Sequence, residues 1–336
     1  MTDYHPCKLI ALLAALLFCG LLRGQEPGSR NLLEPADTFN RARFWTAAGT
    51  GVTLYTAASI GLWHAWYKTY ELGGFRTFDD SGEWYRMDKW GHMFTAHMES
   101  WLIFNGARWT GMDRRKAMWT GAGGAMLLQT TIEVMDGFST KWGFSWHDMA
   151  FNTMGAGLFV GQELLWEEQR IWMKVSNTRP DYSLDPLFSI DGQASTTLQA
   201  RAFDLYGTTF AEAFLKDYNG QTIWFSVNPA AFILPRRSSS KFPKWLNVAF
   251  GIGAQNMYGG HYNRWSDEEG NSFRYEDPAH PRMRQYYLSL DIDLTRIPTR
   301  SRLLKVLFGA FNWIKIPAPA IEFNGNGTVR VYPFYW

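Results

Sequence analysis

The sequence predicts an α+β protein, with an N-terminal bundle of about four apolar helices and a C-terminal antiparallel strand-rich region. Three observations predict it. Weakly charged apolar runs broken by short polar turns fill residues 43–173. A stretch rich in Pro, Asp and Asn, "SNTRPDYSLDP" at 176–186, then reads as a domain edge. Beyond it the apolar pattern moves toward a period of two. The 336 residues divide into a signal peptide (1–24), the helical bundle (43–175) and the strand-rich region (183–336).

The first segment has a positive flank at Lys8, an uncharged apolar run over 9–22, and Gly24 where a cleavage wants a small residue. The run is short for a membrane span. Both cysteines, Cys7 and Cys19, lie inside it, so the cleaved chain would have no disulfide, thiol nucleophile or thiolate ligand. Phe18 is bulkier than the residue a lipoprotein signal places before its cysteine.

The first helix of the bundle, 44–63, is uncharged and about long enough to span a bilayer. The second, 92–109, is opened by Asp88 and Lys89. The third, 117–135, is preceded by Arg114, Arg115 and Lys116. The fourth, 148–166, starts on Asp148, where a carboxylate meets the positive helix end. Gly121, Gly123, Gly124 and Ala125 cluster on the third, and Gly157 and Gly161 form a G-x-x-x-G pair on the fourth; such residues predict close helix approach. Aromatic residues make up 17% of the chain, a composition that suits a membrane interface. The bundle is therefore expected in or against a membrane. A mean hydropathy of −0.25 confines any embedding to this part.

In the strand-rich region, "YYLSLDIDL" places Tyr286, Leu288, Leu290, Ile292 and Leu294 on one face and Tyr287, Ser289, Asp291 and Asp293 on the other, a half-buried strand. Further strands are "TIWFSVN", "WLNVAFGIGAQ", "AIEFN" and "TVRVYPFYW", the last two joined through "NGNG" as a hairpin. Amphipathic helices interrupt near 209–217 and 302–313. The terminal Trp336 also suits an outer-membrane barrel, but about five strands are fewer than the eight of the smallest such barrels.

Three polar clusters fall at the ends of apolar helices. Asp88, Lys89 and His92 form the first, with Asp88 and His92 one turn apart. Glu133 and Asp136 form the second, and His147, Asp148 and Asn152 the third. In an antiparallel bundle the start of the second helix, the end of the third and the start of the fourth share one level, which converges Asp88, His92, Glu133, Asp148 and Asn152. Asp88, His92, Glu133 and Asp148 are the candidate catalytic groups; Lys89, Asp136, His147 and Asn152 are candidate binding groups. Imidazole and carboxylate in a dry site can act as acid and base. The same groups could hold a divalent cation, the less favoured chemistry because no H-E-x-x-H spacing is present. A third possibility is a satisfied network that fixes helix register. His97 is expected to pack or pair near Glu133 or Trp101, with His97 and Glu99 in supporting roles. His64 and His261 read as ordinary surface or interface histidines.

The spaced set "DKWGH", then "EVMDGFSTKWGFSWHDMAFNTMGA", resembles the predicted periplasmic lipoprotein family typified by YfiM. The order D-K-x-x-H, Glu, D-x-x-x-N-x-x-G is more distantly similar to the VanZ-like membrane proteins, which are associated with glycopeptide tolerance. The resemblance covers residues 43–173. It implies a cell-envelope location and a shared polar site at Asp88, Lys89, His92, Glu133, Asp136, Asp148 and Asn152. It supplies no established reaction, and it does not explain the strands.

Three functional readings follow for an exported protein of the periplasm or outer membrane, with membrane lipid or envelope components as partners. The polar cluster is structural or binding; or the protein is an envelope enzyme acting on a lipid-linked or cell-wall substrate; or it is a small outer-membrane barrel with a helical plug. A net charge of +2 excludes a strongly basic nucleic-acid binder.

Overall fold

The computed structural model describes residues 32–63, 72–235 and 240–336. The signal segment with its two cysteines, and His64, lie outside the described residues. Four long helices come first: α1 (Arg41–Leu62), α2 (Met87–Trp109), α3 (Arg114–Gly137) and α4 (Trp146–Trp166). Side-chain caps fix three of their starts. Asn40 accepts from the Arg43 amide, Asp113 from those of Arg115 and Lys116, and Ser145 from that of Asp148. The basic run Arg114 to Lys116 therefore lies in the first turn of α3, not ahead of it.

Among the described residues no helix is long and apolar enough to cross a membrane. The part of α1 read as a possible span, from Phe44 on, is uncharged without being strongly apolar. Thr46, Thr50, Thr53, Thr56 and Ser59 dilute it, and Thr46 and Thr53 bond back to the carbonyls of Ala42 and Gly49.

The spine of the bundle is α2, which packs against both α3 and α4. Two glycines set the approach. A Cβ on Gly155 would sit 2.1 Å from the Met93 carbonyl oxygen, and one on Gly121 would sit 2.5 Å from that of Ser100. The G-x-x-x-G pair is not the contact: a Cβ on Gly157 or Gly161 would meet nothing within 4 Å.

The helical reading ran to Met173, but α4 ends at Trp166, with Glu167 in the left-handed region at φ 55°, and Ile171–Asn177 is strand β1. Its period-two pattern is masked because six of its seven positions are buried. The remaining elements are β2 (Leu187–Phe188), β3 (Ser195–Thr196), α5 (Leu198–Tyr206), α6 (Phe210–Lys216), β4 (Gln221–Val227), α7 (Pro229–Ile233), β5 (Leu246–Gln255), β6 (Arg264–Ser266), β7 (Ser272–Arg274), β8 (Met283–Ile292), α8 (Arg302–Phe311), β9 (Ala318–Asn324) and β10 (Val329–Tyr335). Thr209 and Glu212 cap α6 reciprocally. Gly327, at φ 84°, closes the expected β9–β10 hairpin.

The main sheet has six strands in the order β1-β4-β5-β8-β9-β10, with every neighbouring pair antiparallel. It is strongly curled. Tyr335 of β10 packs on Trp224 of β4 with ring centroids 6.0 Å apart, although three strands separate them. In a flat sheet those strands would stand about 19 Å apart. Residues 313–315, which lead into β9, also bond to the outer edge of β1 through Val175.

The alternation on β8 divides its faces as the sequence suggests, but the buried face is the polar one. Gln285, Tyr287, Ser289 and Asp291 point into the curl, while Tyr286, Leu288 and Leu290 face outward. On β5 the inward residues are Asn247, Ala249, Gly251 and Gly253, and on β9 they include Glu322 and Asn324. The interior is filled by the Trp224, Tyr287 and Tyr335 rings and by a buried ion pair, Lys174 Nζ to Asp291 Oδ2 at 2.8 Å. On β1 and β4 the outward apolar face is covered by α2, with Met87, Met93 and Phe94 packed on Met173, Val175 and Ile223. α2 therefore lies outside the curl, and nothing in the described residues supports the reading of a barrel with a helical plug.

Candidate functional site

Two loops and three helices build the polar cluster. Residues 76–80 run beside residues 142–145, held by Phe78 N–H to Phe144 O (3.0 Å) and Phe144 N–H to Arg76 O (2.9 Å). This pairing brings Asp80 and Ser145 to the same end of the bundle. A short 3-10 turn, Glu83–Arg86, then feeds α2. Trp84, Tyr85 and Arg86 all have positive φ (49°, 50° and 61°), a conformation that needs support from outside the turn. The Trp84 amide donates to Gly260 O at 2.8 Å, and the Tyr85 hydroxyl donates to Arg282 O at 3.2 Å. The strained turn is thus clamped to the loops of the sheet half and aims the first turn of α2.

Lys89, 1% exposed, sits at the centre. Its ammonium lies 2.6 Å from Asp80 Oδ2, 2.8 Å from Asp88 Oδ2 and 2.8 Å from Asp148 Oδ1. Burial disfavours the ammonium, but Asp88 and Asp148 outweigh it and hold the pKa above the ordinary lysine range. Burial also pushes Asp88 up, against the pull of Lys89, whereas hydrogen bonds from Lys89 and Ser145 overcome burial at Asp80 and hold it low. Ser145 ties the group together: its hydroxyl donates to Asp80 (2.7 Å), its amide to Glu133 Oε2 (3.1 Å), and it accepts from the Asp148 amide (3.1 Å).

His92 is one turn along α2. Its Nδ1 lies 3.2 Å from Asn152 Oδ1, an arrangement that places the ring proton on Nδ1 and turns Nε2 toward two carboxylates. Nε2 is 3.7 Å from Glu133 Oε1 and 3.8 Å from Asp148 Oδ1. Burial opposes the imidazolium, but Asp148 and Glu133 overcome it and raise the His92 pKa. Burial raises Glu133 to about 8, with His92 opposing. Glu133 Oε1, Asp88 Oδ1 and Asn152 Nδ2 are buried without a hydrogen-bond partner. The cluster is therefore not a closed, fully bonded network, and its four acidic side chains outnumber its two basic ones, Lys89 and His92.

Of the residues singled out from sequence, Asp88, Lys89, His92, Glu133, Asp148 and Asn152 are brought together. Asp136 lies one turn beyond Glu133 and adds to its upward push by charge. His147 points elsewhere: half exposed, it faces Asp79 at 3.6 Å. His97 packs near Trp101, since both rings lie edge-on to Trp172. It is buried edge-on to the Trp172 ring at 6.0 Å, and burial lowers its pKa to about 4. His261 is half exposed beside Glu83. Asp80 and Ser145 were missed because they lie in loops, where no periodicity marks an inward position.

Glu99, two turns beyond His92, accepts from Gln129 Nε2 at 2.9 Å. Burial raises its pKa to about 7. A carboxyl that is more basic folded than unfolded stabilises the fold fully below its unfolded pKa, and that contribution is lost as pH rises through about 7. Glu99→Gln is therefore expected to remove about 1–3 kcal/mol of the stability decline between pH 4.5 and 7.5, measured by urea titration at each pH. An unchanged pH profile would count against a protonated Glu99.

At the opposite end of the bundle a cleft is lined by Trp101, Arg108, Arg114, Trp172 and Arg296. Two of its arginines are paired, Arg114 with Glu163 at 2.6 Å and Arg296 with Glu168 at 3.2 Å.

Residues 76–161 match the family described as predicted periplasmic lipoprotein (DUF2279). That span runs from the loop carrying Asp80 through most of α4, so it contains the whole polar cluster and none of the six-stranded sheet. The description is consistent with export to the periplasm. No curated protein and no solved structure matches the chain.

Proposed function

We propose that the chain is an exported envelope protein whose helical bundle binds a divalent cation between His92, Glu133 and Asp148. One observation carries this reading: an imidazole nitrogen and two carboxylate oxygens from three helices lie within 4.8 Å of one another, and buried Glu133 Oε1 has no hydrogen-bond partner. A mixed nitrogen and oxygen set suits Zn²⁺ or Mn²⁺. Asn152 acts behind the set by orienting the His92 ring. The adjoining trio Asp80, Asp88 and Asp148 already surrounds the Lys89 ammonium, which leaves the His92 side for an ion. Ligands drawn from three helices leave no short spaced motif in the sequence. Residence in the periplasm or at the outer membrane belongs to the same proposal.

Chelator-treated protein titrated calorimetrically with Zn²⁺ or Mn²⁺ is expected to bind one equivalent. At saturating ion its unfolding free energy should rise by about 2–4 kcal/mol. Glu133→Gln and His92→Ala should each abolish the heat of binding in a folded chain. A wild-type protein that neither binds nor is stabilised by either ion overturns the reading. An acid–base site acting on a lipid-linked or cell-wall substrate is the second reading, favoured by the partly open His92 ring, 21% exposed. It takes precedence if no cation binds yet His92→Ala abolishes the envelope phenotype in a chain of unchanged melting temperature.

A further inference from the structure

We infer that α8 is an interfacial helix that docks the protein on an anionic lipid surface. Leu303, Leu304, Leu307 and Phe311 share one side of this helix, and all four are exposed. An apolar stripe left exposed among the described residues needs an outside occupant. Charge identifies it. Arg300, Arg302 and Lys305 are exposed, and they fall between residues 294 and 321, a stretch with no Asp or Glu. Arg302 and Lys305 lie on the side of α8 away from the leucines. Leu and Phe on one face with Lys and Arg on the other is the pattern of helices that lie in the headgroup layer of a membrane. The local positive charge complements phosphate headgroups, whereas a second copy of the chain would bring the same positive charge against itself.

The helix is seated so that docking would orient the whole molecule. The Trp101 indole of α2 donates to Gly309 O at 3.4 Å, and Arg302 pairs with Glu34 at 2.9 Å. The surface therefore lies toward the C-terminal end of α2, and the polar cluster lies at its N-terminal end. The outward apolar residues of β5, β8, β9 and β10 leave a second uncovered apolar face on the same sheet half.

Co-sedimentation of the full chain with vesicles of phosphatidylglycerol and phosphatidylethanolamine, against phosphatidylcholine vesicles, tests the inference. Preferential binding to the anionic vesicles is expected, weakened in high salt. Leu304→Glu with Leu307→Glu should lower that binding about tenfold or more, and Arg300→Glu with Lys305→Glu should do so by a similar factor. These positions are exposed, so circular dichroism should stay as in wild type. Wild-type protein that does not bind, or variants that bind equally, overturn the inference. So does a concentration-dependent dimer, dissolved by the leucine substitutions, that fails to sediment with vesicles.

Discussion

Lys89→Met is expected to destabilise the protein by about 3–5 kcal/mol, a loss large enough to prevent folding in a marginal domain. The reason is the company the ammonium keeps. Three carboxylates lie within 2.8 Å of it, and Lys89 itself is 1% exposed. Methionine fills nearly the same volume, so packing changes little, but Asp80, Asp88 and Asp148 are left facing one another. They must then bind protons or admit water. The destabilisation should therefore shrink at acidic pH, where the carboxylates are neutral. Denaturant titrations at pH 4.5 and pH 7.5 measure this; a loss below about 1 kcal/mol at both would show that the cluster does not depend on its central cation.

Lys174→Met is expected to have an effect of the same size, about 3–5 kcal/mol, in the sheet half. Lys174 and Asp291 are both 0% exposed and 2.8 Å apart. The ammonium also donates to Ile292 O (2.7 Å) and Asn312 Oδ1 (3.3 Å). Asp291 keeps hydrogen bonds from Ser226 (2.6 Å) and the Ile316 amide (3.1 Å) and the more distant charge of Lys315, which together do not replace an ammonium in direct contact. Adding Asp291→Asn to the first change should recover about 1–3 kcal/mol, the coupling of a contacting pair. Strict additivity of the two changes, read from a double-mutant cycle by chemical denaturation, would mean that the pair does not act as one.

Much of this architecture was legible in the sequence. The four helices and five of the six sheet strands lie where periodicity and turn residues place them. The polar site was legible where helical spacing carries it, because Asp88 and His92, and Asp148 and Asn152, must share faces. The same geometry explains why His147 stands apart from the cluster. Successive helical residues are about 100° apart, and that turn carries His147 away from Asp148 toward Asp79, whereas the long Lys89 side chain still reaches the cluster beside Asp88. Asp80 and Ser145 depend on two loops lying side by side, a tertiary fact with no local signature. The orientation of β8 was not legible for a different reason. Alternation separates two faces but does not say which one the rest of the chain will cover. Here the curl encloses Gln285, Tyr287 and Asp291, and Leu288 and Leu290 are left outside.

That inverted sheet alters the thermal signature of the molecule. Phe250, Tyr286, Leu290, Phe323 and Val331 meet solvent while folded, Val331 to 72%. Unfolding these strands exposes less apolar surface than it would if their outward residues were covered, and it newly hydrates buried polar groups, and those two changes act on heat capacity with opposite signs. The sheet half therefore contributes less than its share of the roughly 12–15 cal/mol/K per residue usual for unfolding. Its stability curve is therefore flatter against temperature than that of a sheet covered on both faces.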